Sequence, residues 1–113
     1  MSFFSELFKT NNHKNINGVE LNTLLRNNKK ALILDVRTIG EYSSFHIPNS
    51  KNIPVHELKS RLNTLDLYKD STIIVYCASG ARSLSASKIL SKNGFNNVYN
   101  LKGGISSYIS NKK

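Results

Sequence analysis

The sequence predicts an α/β fold: three layers, α/β/α, around a central, mainly parallel sheet of about five short strands. Segments of strand character alternate along the chain with segments of helical spacing. The strand segments are short and almost wholly apolar, without the polar alternation of a sheet that keeps one face wet. The chain, at 113 residues and 12.7 kDa, suits one compact domain and leaves no room for two. Hydrophobic residues at 39% and charged residues at 20% allow a packed core and argue against global disorder.

Residues 1–14 read as an N-terminal apolar turn and linker, and residues 15–113 as the folded domain. Phe3, Phe4, Leu7 and Phe8 suggest a short helix whose apolar face docks on the domain or touches a partner. The segment is too short for a secretory h-region and has no small-residue cleavage site. The polar stretch Thr10 to Asn15 is expected to be a linker. Asn17-Gly-Val-Glu20 has the form of a capping box, and Leu21, Leu24 and Leu25 follow at helical spacing until Asn27-Asn28-Lys29-Lys30. Ala31 to Val36 is an apolar run expected of a strand buried on both faces. Thr38-Ile-Gly-Glu41 repeats the capping box and opens a helix ending near His46. Ile47 to Ser50 is a turn, and Asn52-Ile53-Pro54 a brief strand.

Val55, Leu58, Leu62 and Leu65 form one stripe of an amphipathic helix. Asp66 to Ser71 is a loop. Thr72-Ile-Ile-Val-Tyr76, rich in β-branched residues, is the strongest strand. Cys77 to Ala81 is a tight small-residue loop, Ser83 to Asn93 a helix, and Gly94 its C-terminal stop. Asn97 to Leu101 is the last strand, Lys102-Gly-Gly104 a turn, and Ile105 to Ser110 a short final helix.

Composition removes several functional classes. The single cysteine forms no internal disulfide and has no partner for a zinc knuckle or CxxC redox pair. His13, His46 and His56 lack metal-ligand spacing, so neither a metal nor another cofactor is expected. No run of about 18 apolar residues suggests a transmembrane helix. A reducing cytoplasm is the expected compartment, and a monomer the default state. Sixteen Lys and Arg against seven Asp and Glu give +9, and no acid follows Asp70. Such a field attracts anions. The basic residues are not clustered with aromatics, so no nucleic-acid face is expected.

Tyr76-Cys-Ala-Ser-Gly-Ala-Arg-Ser83 carries the chemistry. A strand stops, a small-residue loop curls, and a helix begins at about Ser83. Backbone N–H groups in such a loop can converge into an anion-binding nest. The helix start adds roughly half a positive charge, and Arg82 adds a full one. A thiolate in that cup has a lowered pKa and is nucleophilic. Gly80 supplies the left-handed backbone angle the curl requires. A lone cysteine after an apolar strand is most often an inert core thiol. The small residues, glycine and arginine that follow are a poor design for filling a core.

Cys77-Ala-Ser-Gly-Ala-Arg-Ser83 resembles the CxxGxRS active-site loop of single-domain rhodaneses, a family of sulfurtransferases. Asp35-Val-Arg-Thr-Ile-Gly-Glu-Tyr42 with His46-Ile47-Pro48 is similar to that family's upstream DxRxxxEY…GHI signature. Leu101-Lys-Gly-Gly-Ile105 with Tyr108 resembles its closing LxGG motif and aromatic. These segments occur in the family's order and span about residues 16–110. The resemblance implies a persulfide on Cys77, which takes a sulfane sulfur from an anionic donor such as thiosulfate. Cyanide or a thiol, including a protein partner, then accepts it. It also implies that the backbone of Ala78, Ser79, Gly80, Ala81 and Arg82 holds the persulfide, with Arg82 steering the donor.

Departures are Phe45 for the family's glycine before the histidine, Asn49-Ser50 for Gly-Ala, and Tyr108 for tryptophan. Asp35, Arg37 and Glu41 read as structural, through strand-end and helix-cap charges or a buried ion pair. His46 reads as satisfying a backbone hydrogen bond, Ser79 as a loop donor and Ser83 as a helix cap. One rival reading is a non-catalytic module that docks through Phe3, Phe4, Leu7 and Phe8. Another is a Cys-dependent phosphatase or arsenate reductase, whose loop has five residues between Cys and Arg. Here only Ala78, Ser79, Gly80 and Ala81 intervene.

Overall fold

The apolar runs become strands covered on both faces. In the computed structural model, which describes residues 12–111, the elements are β1 (Lys14–Ile16), α1 (Gly18–Asn27), β2 (Leu32–Asp35), α2 (Ile39–Ser44) and β3 (Ser50–Asn52). There follow α3 (Val55–Leu58), which runs into a 3-10 segment (Lys59–Tyr68), then β4 (Ile73–Tyr76), α4 (Ala81–Lys92), β5 (Val98–Leu101) and α5 (Gly104–Ser110). The strand order is β1-β5-β4-β2-β3 and every pairing is parallel. Leu32, Leu34, Ile73 and Val75 pack against Leu58, Leu65, Ala86 and Leu90, the layer of α3, the 3-10 segment and α4. Ile33, Ile74 and Tyr76 turn to the opposite face, against Leu21 of α1 and Ile105 of α5. This alternation between two dry faces explains the continuous hydrophobic sequence. Each buried aliphatic side chain contributes about 1.5–3 kcal/mol.

Both expected capping boxes form. Asn17 accepts from the Glu20 N–H at 2.8 Å and the Glu20 carboxylate accepts from the Asn17 N–H at 2.8 Å. Thr38 and Glu41 make the same reciprocal pair at the start of α2.

Four expectations are corrected. Lys14 and Asn15 belong to an edge strand, not to a linker. Only Ile16 of that strand is buried, so no apolar run announced it. β3 lies two residues earlier than Asn52–Pro54. Pro54 has no N–H to extend a ladder, and the pairing ends at Asn52 opposite Asp35. The stripe from Val55 to Leu65 is mostly 3-10 rather than α-helix. Ser60 and Thr64 hydroxyls donate to the carbonyls of Glu57 and Arg61, three residues back, which favours the tighter turn. α4 starts at Ala81, two residues before Ser83.

The crossover from β2 into α2 is organised by a buried ion pair. Asp35 is fully buried, and its carboxylate accepts from the Arg37 N–H and from two guanidinium nitrogens at 2.8–3.2 Å. The same guanidinium donates to the Phe45 carbonyl, and Asn52 donates to the carbonyls of Asp35 and Arg37. The structural role expected for Asp35 and Arg37 is therefore what the geometry shows. Asn49 adopts φ +69°, a left-handed angle that Asn tolerates, where the family pattern has glycine. Phe45 is extended at φ −169°, so no glycine is needed there. Among the described residues no helix is long and apolar enough to cross a membrane. Phe3, Phe4, Leu7 and Phe8 lie outside the described residues.

Replacing Asp35 by Ala strands a buried guanidinium, and urea unfolding should register a loss of about 3–5 kcal/mol. A loss below about 1 kcal/mol would mean that the pair does not organise this crossover.

Candidate active site

β4 delivers two consecutive residues to opposite faces. Tyr76 joins the α1/α5 side, where its hydroxyl meets the Ile47 N–H and Ser50. Burial pushes that phenol up to about 12, and the hydrogen bond with Asp35 adds to the shift, so it stays neutral. Cys77 turns the other way. Its residue is only 1% exposed, yet the sulfur faces the turn that follows it. The Gly80 N–H donates to Sγ at 3.1 Å and the Ser83 N–H at 3.4 Å, and the Ser83 hydroxyl lies 3.5 Å away. Gly80 adopts φ +119° and is the N-cap of α4, with no side-chain cap. That angle starts the helix early and aims its free first-turn donors at the sulfur.

Burial pushes the Cys77 thiol up. The hydrogen bonds of the Ser83 hydroxyl and of the Ser83, Gly80 and Ser79 backbone outweigh burial, and the net pKa lies below that of an ordinary cysteine. The lowering comes from hydrogen-bond dipoles, against the effect of burial. The residues after it range from half-buried (Ala78, Gly80, Arg82) to exposed (Ser79, Ala81), so the sulfur lies just beneath an accessible loop.

Ser83 is not the helix cap expected from sequence. It is the third residue of α4, fully buried, and its hydroxyl, whose one proton serves one acceptor at a time, lies within hydrogen-bond reach of Asn100 Oδ1, of the Gly80 carbonyl at 3.1 Å and of Cys77 Sγ. Asn100 in turn donates to Asn15 on the edge strand at 3.1 Å. A polar chain therefore runs from β1 through β5 to the sulfur. Sequence reasoning missed Asn100, although an Asn inside the apolar β5 run was the available signal.

The Gly103-Gly104 turn closes the site from below. The Ile105 N–H donates to the Cys77 carbonyl at 2.9 Å. A Cβ on Gly104 would collide with the carbonyls of Cys77 and Ala78, and its φ is +59°. Only glycine lets α5 approach the end of β4 this closely.

Arg82 does not add a free charge to the cup, as its sequence position suggested. Its guanidinium forks onto Glu41 at 2.7 and 2.9 Å, and this pairing with Glu41 is what raises the Arg82 pKa. The Arg82 guanidinium, together with the Thr38 backbone, holds the Glu41 carboxyl well below its usual range, at about 2. Glu41 thus does more than cap α2. It ties that helix to the loop across 41 residues of sequence. His46 Nδ1 meets the Tyr42 carbonyl at 2.8 Å, the backbone bond expected of it, and its ring stacks on Tyr42.

The family described as Rhodanese-like domain matches residues 19–111. The chain belongs to that family. The rhodanese-like domain is 34% identical over 90 residues to a sulfurtransferase of Allochromatium vinosum, covering 80% of this chain and 82% of that one. It is 41% identical over 76 residues to YqhL, an uncharacterized protein of Bacillus subtilis, covering 67% of this chain and 59% of that one. It is 36% identical over 94 residues to a tRNA uridine(34) hydroxylase of Buchnera aphidicola, covering 80% of this chain but 30% of that one. The rhodanese-like domain therefore spans under two thirds of the length of the latter two relatives. A rhodanese-related protein of Thermoplasma volcanium superposes with a TM-score of 0.77 at 36% identity, covering 87% of this chain and 92% of that one. The α/β layering and parallel sheet are those of rhodanese folds, and one of these relatives is a sulfurtransferase.

Ser83→Ala removes a hydroxyl that lowers the thiol pKa, so the pKa rises and less thiolate is present at neutral pH. The rate of Cys77 alkylation near pH 7 should fall about three- to tenfold, and its pH profile should move to higher pH. An unmoved profile would show that the hydroxyl does not act on the sulfur.

Proposed function

We propose that this domain is a sulfurtransferase that works through a persulfide on Cys77. The observation that carries the reading is the convergence of the Gly80 and Ser83 amides on a sulfur whose pKa is lowered. The Cys77 thiolate attacks the outer sulfur of thiosulfate. A sulfur–sulfur bond forms to Sγ, the bond to the sulfite sulfur breaks, and sulfite leaves with the bonding pair. Cys77 then carries a terminal sulfur bearing the negative charge. Cyanide or a thiolate attacks that sulfur, departs as thiocyanate or a new persulfide, and returns Cys77 as thiolate. No oxidant or cofactor enters either half.

Ala78, Ser79, Gly80, Ala81 and Arg82 surround the position the terminal sulfur takes, and their backbone N–H groups are suited to hold it. The small side chains of Ala78, Ser79, Gly80 and Ala81 favour a loop that accommodates an added sulfur atom. The loop, one residue shorter than that of Cys-dependent phosphatases, suits a sulfur better than a tetrahedral phosphate. The preponderance of basic over acidic residues, +9 overall, favours an anionic donor near the surface.

Incubation with thiosulfate should add roughly 32 Da to the intact protein, with Cys77→Ser unchanged. Persulfide-loaded protein should then lose that mass on addition of cyanide. A folded wild type that gains no mass from thiosulfate or from a low-molecular-weight persulfide would point instead to a binding module without turnover.

A further inference from the structure

Arg82 lies near the sulfur and Arg37 in the neighbouring crossover, and each has its own carboxylate. Arg37 is held by Asp35 inside the fold. Arg82, which stands close enough to interact electrostatically with Cys77 and Asp35, is held by both oxygens of Glu41. Taken together, Asp35, Arg37, Glu41 and Arg82 carry no net charge. An anion arriving at the loop meets backbone dipoles and a neutralised pair, not a free guanidinium. The pair is about one third exposed on each side, so its dipole is partly screened while its neutralisation persists. Thr38 fixes the Glu41 carboxylate from the other direction, through its N–H at 3.0 Å and its hydroxyl at 3.1 Å. Glu41 is thus pinned by the same cap that starts α2, and it cannot swing away without uncapping that helix.

We infer that Glu41 is a specificity-determining residue: by engaging Arg82 it mutes the attraction of the Cys77 loop for dianions and favours sulfane-sulfur donors of low negative charge. This rests on the persulfide reading only for the identity of the substrate. The electrostatic statement concerns the thiolate itself and is measurable without sulfur transfer.

Glu41→Gln preserves an oxygen to accept from Thr38, so α2 stays capped, but it leaves the charge of Arg82 uncompensated. The probes are iodoacetate, an anion, and the neutral iodoacetamide, both of which alkylate the Cys77 thiolate with release of iodide. Their rate ratio reports the potential at the sulfur and cancels changes in thiol pKa and in access common to both. Relative to wild type, the ratio should rise about fivefold in Glu41→Gln at low ionic strength, and the rise should shrink with added salt. It should fall in Arg82→Gln, where Glu41 is left unpaired. It should return to the wild-type value in the double variant. Persulfide formation from thiosulfate should accelerate in Glu41→Gln relative to formation from a neutral polysulfide.

A ratio that stays within about twofold of wild type in Glu41→Gln overturns the inference, as does a rise that persists when Arg82 is also removed. If Glu41→Gln does not fold, as judged by circular dichroism, Arg82→Gln decides alone. A lowered ratio supports the inference and an unchanged one overturns it. Failure of the sulfurtransferase reading is distinct from these outcomes: it shows as absent mass gain in wild type and leaves the alkylation ratios as they are.

Discussion

A negatively charged sulfur at 1% exposure survives only where hydrogen-bond donors replace the water it has lost. Much of the architecture around Cys77 serves that replacement. Gly80 takes a left-handed angle so that a helix begins without a side-chain cap and its first amides remain free. Ser83 places a hydroxyl beside the sulfur because Asn100 on the adjoining strand holds it there. Gly104 lets the last helix pack against the carbonyls of Cys77 and Ala78, fixing the end of β4 from the other side. Burial acts in the opposite sense, to neutralise the thiol, and the donors outweigh it.

The parallel sheet explains why the site lies where it does. Strands that all point one way present their carboxyl ends, and the helices that follow them, along a single edge. β2 and β4 are neighbours in that sheet, so the segments leaving them meet. Asp35 and Tyr76 face each other in register, and a few residues further on Glu41 meets Arg82. Contacts across 41 positions of sequence therefore follow from adjacency of two strands.

Much of this was legible before any coordinates. Local signals were read where their physics is local: the reciprocal bonds of Asn17 with Glu20 and of Thr38 with Glu41, the apolar run of β4, and the stop at Gly94, whose φ is +91°. The cysteine-centred loop was legible because small residues, glycine and arginine after a β-branched strand have few other uses. What escaped was tertiary. Lys14 and Asn15 pair only because β5 offers them an edge. Asn100 acquires its role only once α4 lies over β5. The partnership of Glu41 and Arg82 depends on strand order, which no spacing in the chain encodes. The 3-10 segment hid for another reason, since spacings of three and four residues fit either helix and short hydroxyl-to-carbonyl bonds decided between them.

The proposition that amide dipoles, rather than a free cation, ionise Cys77 is tested most directly by following thiolate ultraviolet absorbance against pH, with Cys77→Ser as the blank. Because folding lowers the thiol pKa, the titration should have its midpoint below that of a free cysteine, and it should move little in the Glu41→Gln/Arg82→Gln double variant, where neither charge of the pair remains. A midpoint at or above that of a free cysteine would mean that burial prevails, and the site would hold an inert core thiol.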